Sequence, residues 1–189
     1  MASPSGAATR TTAAGGGDIT FPQNAPLVLD LGCGNGVFLS ALAATHPGWN
    51  VLGIEKKGYR VRQARRHAQD LDNARVVHGE VVEVVSGLPE ASVARAYLLF
   101  SDPWPKRRHA VRRLVQIPFA SLLADRLAPD GSFFFASDSA AYADWAEDVF
   151  REDGWKVGPW RIPTDWPPTE FEQRFGSAGV EIRRFEATR

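Results

Sequence analysis

Asp30-Leu31-Gly32-Cys33-Gly34-Asn35-Gly36 is the first stretch of the chain whose residue types and spacing point to chemistry. Glycines let a backbone turn sharply and come close to a ligand, and Gly32 and Gly34 are expected to do so here. The spacing is G-x-G-x-G, with Val37 where the dinucleotide fingerprint carries its third glycine. A carboxylate just before the loop, Asp30, repels a pyrophosphate and suits a ligand carrying an amino group and a sulfonium. S-adenosylmethionine is such a ligand. Glu55 follows Asp30 by 25 residues, where a carboxylate accepts hydrogen bonds from both ribose hydroxyls. Glu80 is placed to accept from an adenine amino group. Without these acids the loop reads equally as a tight turn between strand and helix. Cys33 reads as a small loop residue, because no basic neighbour lowers its pKa.

A second constellation is Asp102-Pro103-Trp104-Pro105-Lys106-Arg107-Arg108-His109. Two prolines stiffen it, and Trp104 offers a stacking face. The Asp102 carboxylate can accept two hydrogen bonds, as guanine N1–H and N2–H present them. Lys106, Arg107, Arg108, Arg112 and Arg113 place five cations in eight residues, which suits a nucleic-acid backbone. The alternative is a solvated helix start, but cations there oppose the helix macrodipole. Another basic run, Lys56, Lys57, Arg60, Arg62, Arg65 and Arg66, reads as the solvated face of a helix. Asp138 is either a contact to a ribose or exocyclic group, or the cap of the helix that follows.

These side chains need elements to hold them. Leu27-Val28-Leu29-Asp30-Leu31 reads as a short buried strand ended by glycines. Residues 36–45 are helix-like, and residues 51–54 form a second strand ending at Glu55. Residues 58–71 place Val61, Ala64, Ala68 and Leu71 on one helical face. Strands follow at 75–78, 94–100 and 131–136, and a helix at 139–153. The helical spacing over 110–127 is interrupted by Pro118, so a kink or a late start is expected. Residues 155–161 and 180–186 are expected to pair as a terminal hairpin. Alternation of this kind predicts an α/β fold with helices on both faces of a mostly parallel, seven-stranded sheet, ending in an antiparallel hairpin. Ligands of such sheets bind at the carboxyl ends of the strands, near the switch point.

A chain of 189 residues is one domain. Residues 1–20 are rich in Ala, Gly, Ser and Thr and are expected to be a flexible tail, with the domain over 21–189. Lys and Arg number 22, as do Asp and Glu, which excludes a protein that holds nucleic acid by bulk charge but not a local basic patch. The single cysteine and four scattered histidines give no disulfide framework and no expected metal site. There is no run near the roughly 18 apolar residues of a membrane span and no apolar leader. The expectation is a cytoplasmic protein, monomer or homodimer, without a membrane partner.

At these residues the sequence resembles the tRNA (guanine-N7)-methyltransferase family of the class I, Rossmann-like methyltransferases. The resemblance runs from about Leu27 to Phe185. It rests most on Ser-Asp-Pro-Trp-Pro-Lys-Arg-Arg-His-x-x-Arg-Arg-Leu (101–114), on Ala-Ser-Asp (136–138) and on Pro-Thr-Glu-Phe-Glu (168–172). It implies methyl transfer from S-adenosylmethionine to a tRNA guanosine, with position 46 of the variable loop as the family target. It implies cofactor contacts from Asp30, Glu55, Glu80 and Asp102, with Asp102 catalytic. Substrate contacts are implied for Lys106, Asp138, Thr169, Glu170, Phe171 and Glu172, and RNA contacts are expected from Arg108, His109, Arg112 and Arg113. Three other readings stay open: a methyltransferase acting on another RNA, DNA or small molecule, a non-catalytic S-adenosylmethionine-binding RNA module, and, least favoured, a dehydrogenase.

Overall fold

The apolar run at the first strand is buried along its whole length, because both faces of the sheet are covered. The computed structural model describes residues 9–13 and 17–189. In chain order the strands are β1 (Thr9–Ala13), β2 (Gly17–Phe21), β3 (Leu27–Leu31), β4 (Asn50–Glu55), β5 (Ala74–His78), β6 (Val93–Leu99), β7 (Leu127–Ser137), β8 (Lys156–Gly158) and β9 (Arg183–Thr188). The helices are α1 (Val37–Thr45), α2 (Gly58–His67), α3 (Val81–Ser86), α4 (Ile117–Arg126), α5 (Ala140–Glu152) and α6 (Glu170–Ser177). A 3₁₀ turn, Arg107–Arg112, precedes α4.

The main sheet has seven strands in the order β5-β4-β3-β6-β7-β9-β8. β3 to β7 run parallel, and β9 is antiparallel to both β7 and β8. The mostly parallel sheet and the terminal hairpin match the expectation from sequence. Chain order reverses beside β3, which pairs with β4 on one side and β6 on the other, and this is the switch point.

Alternate residues of each strand feed two cores. Leu29, Leu52, Phe133, Phe135 and Phe185 face α3, α4 and α5. Val28, Val51, Tyr97 and Phe134 face α1 and α2 together with Trp160. α4 starts at Ile117 with Pro118 in its first turn, where a missing N–H costs nothing, so the late start applies rather than a kink.

Several elements differ from expectation. α2 ends at His67 rather than 71, and β8 stops at Gly158 because Pro159 has no N–H to offer a ladder. α3 and α6 have no counterpart in the sequence reading; α3 is rich in valine, which reads as neither a clear helix nor an alternating strand. Residues 1–8 and 14–16 of the expected tail lie outside the described residues. Within the rest of that segment β1 and β2 pair, and Ile19 and Phe21 are buried in the core.

Candidate active site

The loop after β3 is held from below by β4. The Gly32 and Cys33 N–H groups both donate to the Ile54 carbonyl, at 2.8 and 3.0 Å. Gly36 has φ +83°, and a Cβ there would lie 2.6 Å from the Ala64 Cα. Only glycine therefore lets α1 begin against α2 at this point.

Glu55 closes β4 and is buried. Its Oε2 accepts from the Gly34 N–H at 3.1 Å and its Oε1 from the Lys57 N–H at 2.8 Å. Each oxygen keeps a lone pair free for a hydroxyl donor. Asp30 is buried beside it, and among the described residues no basic side chain lies within 4 Å of its carboxylate. Burial, and then the Glu55 charge, raise the Asp30 pKa to about 7. A buried carboxylate without a cation is costly unless a ligand brings the positive charge. That donor set fits S-adenosylmethionine: Asp30 for its positive end, Glu55 for its ribose. Cys33 is buried too, and burial with both carboxylates pushes its thiol up, away from nucleophilic character.

Two clefts open at the carboxyl ends of the strands. The smaller, about 320 Å³, is lined by Asp30, Gly32, Gly34, Tyr59, Thr169 and Phe171, among others. The larger, about 510 Å³, is lined by Glu55, Glu80, Asp102, Trp104 and Arg112, among others. They share Gly32, Arg60 and Phe100. Asp30 lines the smaller cleft and Glu55 the larger.

The loop after β6 carries Asp102. Phe100 and Trp104 both have positive φ, +54° and +44°. Non-glycine residues there cost on the order of 1–3 kcal/mol each and persist only where the surroundings impose them. The Asp102 Oδ1 accepts the Trp104 N–H at 3.1 Å. Arg113 Nε donates to the Pro103 carbonyl at 2.9 Å, and its guanidinium lies over both Tyr142 and Trp145. Phe100 packs on Phe171 and Phe175 of α6.

α6 arches over the glycine loop. Asn35 Nδ2 donates to Glu170 Oε2 at 2.9 Å, across 135 residues of chain. Thr169 and Glu172 form a capping box: Thr169 Oγ1 accepts the Glu172 N–H, and Glu172 Oε2 accepts the Thr169 N–H. Glu172 also takes hydrogen bonds from Trp166 Nε1 and Arg184.

The structure thus gathers Asp30, Gly32, Gly34, Glu55, Glu80, Asp102, Arg112, Thr169, Glu170 and Phe171 at the clefts. Lys106, Asp138, Arg108, His109, Arg113 and Glu172 line neither. Asp138 is exposed at the end of β7, and Ser139, not Asp138, caps α5. His109 packs edge-on against Trp104, and Arg112 lies 5.0 Å over the same ring. Arg113 and Glu172 spend their side chains on positioning. Sequence reasoning missed Phe100, Asn35 and Arg184. Only the end of an apolar strand marked Phe100, and the partners of the other two are far away in the chain. Among the described residues, no group of three or more His, Cys, Asp or Glu is arranged to hold a metal ion, and no helix is long and apolar enough to cross a membrane.

Residues 24–185 match a family model described as a putative methyltransferase. The tRNA (guanine-N(7)-)-methyltransferase of Leifsonia xyli is 41% identical over 174 residues, covering 87% of this chain and 77% of that one. Its counterpart in Halorhodospira halophila is 39% identical over 174 residues, covering 87% and 75%. The fold is shared with the 16S rRNA methyltransferase KamB, with a TM-score of 0.63 at 18% identity, covering 95% of this chain and 99% of that one. A precorrin-6y C5,15-methyltransferase from Geobacter metallireducens has the same fold, with a TM-score of 0.60 at 12% identity, covering 86% and 78%. With a family model matched over residues 24–185 and relatives of this identity along most of its length, the chain belongs to the tRNA (guanine-N7)-methyltransferase family.

Proposed function

We propose that the chain transfers the methyl group of S-adenosylmethionine to N7 of a guanosine in tRNA, with position 46 of the variable loop as the target. One observation carries this reading. The stretch 101–114, the most specific part of the resemblance, puts Asp102, Trp104 and Arg112 on the wall of the cleft that also holds Glu55.

S-adenosylmethionine supplies an electrophilic methyl group on a sulfonium. Asp30 meets its positive end, Gly34 and Glu55 set the ribose, and Glu80 is the acceptor beyond. Guanine N7 has a lone pair and no proton, so no residue has to act as a base. The protein's task is alignment and electrostatics. Asp102 accepts the N1–H and N2–H edge of the base and faces the positive charge that spreads into the purine. Thr169, Glu170 and Phe171 border the adjoining cleft where α6 covers it. Lys106, Arg108, His109 and Arg112 meet the RNA, and Asp138 holds a sugar or exocyclic group at the neighbouring strand end. The setting is the cytoplasm, where tRNA is processed.

Mass spectrometry of nucleosides from tRNA incubated with protein and cofactor tests the reading. The expected product is 7-methylguanosine, lost in tRNA whose target guanosine is replaced. Methylation of any other position would overturn it.

A further inference from the structure

We infer that the outward face of α2, built from Tyr59, Arg62 and Arg66, is a second tRNA docking surface, with Tyr59 stacking on an unpaired nucleotide beside the target guanosine. The inference rests on the proposed tRNA substrate and extends it to a part of the molecule that the sequence reading took for a solvated face.

α2 turns Val61 and Ala64 into the core. At 100° per residue, Tyr59, Arg62 and Arg66 lie on the opposite side, and all three are exposed, Tyr59 by 53%. Arg60 lies 5.9 Å from the centroid of the Tyr59 ring and its Nε donates to the Tyr59 hydroxyl at 3.2 Å, which pairs the exposed aromatic with a cation on the same helix. Tyr59 also lines the smaller cleft, so the stripe begins at the mouth of the site and runs away from it for roughly 10 Å.

Charge is the second argument. α2 has no acidic residue in its first turn. Lys57 is its N-cap and Arg60 and Arg62 follow, so cations crowd the helix end whose dipole repels them. Arg65 and Arg66, in the last turn, are favoured by the dipole and need no other reason. Among the described residues, Lys57, Arg62 and Arg66 have no carboxylate within 4 Å; Lys56 has Glu80 at 3.6 Å, with both side chains 59% exposed. Lys57 and Arg62, which the fold neither pairs nor favours, fit an outside polyanion, and Arg66 extends the same exposed face. Aromatic and cationic side chains in one stripe fit single-stranded RNA, whose bases stack while its phosphates pair. Arg112 of the 3₁₀ turn lines the larger cleft together with Lys56 and Lys57. RNA held by both basic segments would lie at the mouth of that cleft.

The test is the affinity of an unmodified tRNA transcript across a salt series, with the melting temperature of each variant as a check on folding. Arg62→Ala plus Arg66→Ala is expected to lower affinity at least about fivefold and to reduce the log–log salt slope by roughly 1.4–1.8. Tyr59→Ala is expected to weaken binding several-fold at an unchanged slope, and Tyr59→Phe to restore it. Lys156→Ala plus Arg161→Ala, exposed cations elsewhere, should leave the slope intact. Normal affinity and slope in the α2 variants, with wild type still forming 7-methylguanosine, would overturn the surface and leave the substrate reading standing. An equal loss in the Lys156 and Arg161 variant would assign the effect to bulk charge and overturn it too. Competition by poly-glutamate as strong as by tRNA would give the face to acidic polypeptides instead. Wild type that binds cofactor but no tRNA overturns both readings together.

Discussion

Asp30 carries the most telling electrostatics of any single side chain here. Its folded pKa of about 7 stands well above the ordinary 3.8 because it is buried and faces Glu55. The folded state therefore holds this proton more tightly than the unfolded chain does. The stability it contributes is full below about pH 4 and is lost as pH rises to 7, by up to roughly 4 kcal/mol. Asp30→Asn should flatten that part of the pH–stability curve and raise the neutral-pH melting temperature of the free protein. A cation beside Asp30 favours the ionised form, so cofactor binding releases a proton. Affinity for S-adenosylmethionine should rise between about pH 5.5 and 7, by at most tenfold per unit, and the Asn variant should lose this slope. Calorimetry over that range decides it, and a flat wild-type profile would put the ligand's charge elsewhere. Asp102 is exposed and its Oδ1 accepts the nearby Trp104 N–H, so replacing it should cost little stability. Asp102→Asn should fold normally yet transfer methyl groups at least about a hundredfold more slowly in single turnover, as for the loss of one preorganised electrostatic contact. A rate within a few-fold of wild type would remove it from the chemistry.

The elements explain why other charged residues do not act where their spacing suggests. Arg113 belongs to the basic run at 106–113, which alone reads as an RNA contact. In the fold it is half-buried, donates to Pro103 and lies over two aromatic rings. Arg113→Ala should lower the melting temperature by roughly 2–6 °C, the equivalent of one hydrogen bond and a cation–π contact. The salt slope for tRNA should stay at the wild-type value, since the lost group meets protein and not phosphate. Glu172 is similar. It caps α6, and Arg184 holds its other oxygen at 2.9 Å. α6 has no buried residues, so the Glu172–Arg184 pair, the Asn35–Glu170 hydrogen bond and the Phe100–Phe171–Phe175 stack hold it over the site. Glu172→Ala removes the N3 half of the capping box and the Arg184 pair while Thr169 still caps the helix, and it should speed amide hydrogen exchange in α6 relative to wild type.

At the scale of the whole molecule the formal charge is zero, so tRNA affinity must come from local surfaces rather than a general field. Arg108→Ala plus Arg112→Ala should therefore reduce the salt slope of tRNA binding by roughly 1.4–1.8, and an unchanged slope would move the docking surface off the 3₁₀ turn. What the sequence determined by itself is local or periodic. Apolar strand runs alternating with 3.6-residue helical faces dictate the doubly wound sheet, because each element must bury one face. The glycine loop with Asp30 and Glu55 at strand ends points to a ligand cleft there, because strand ends of such a sheet converge at the switch point. Pro118 left a kink or a late start for α4, and the fold takes the late start, with proline in the first turn. Tertiary structure alone decided the rest. β2 became part of the core because an edge was waiting for Ile19 and Phe21, and six valine-rich residues became α3 because packing outweighs propensity over so short a span. Whether a charge faces solvent, a ligand or another side chain depends on partners far off in the chain: Asn35 and Glu170 meet across 135 residues, and Arg113 meets Tyr142 and Trp145 of α5. Such pairings have no signature in residue spacing, because they exist only once the sheet has brought its strand ends together.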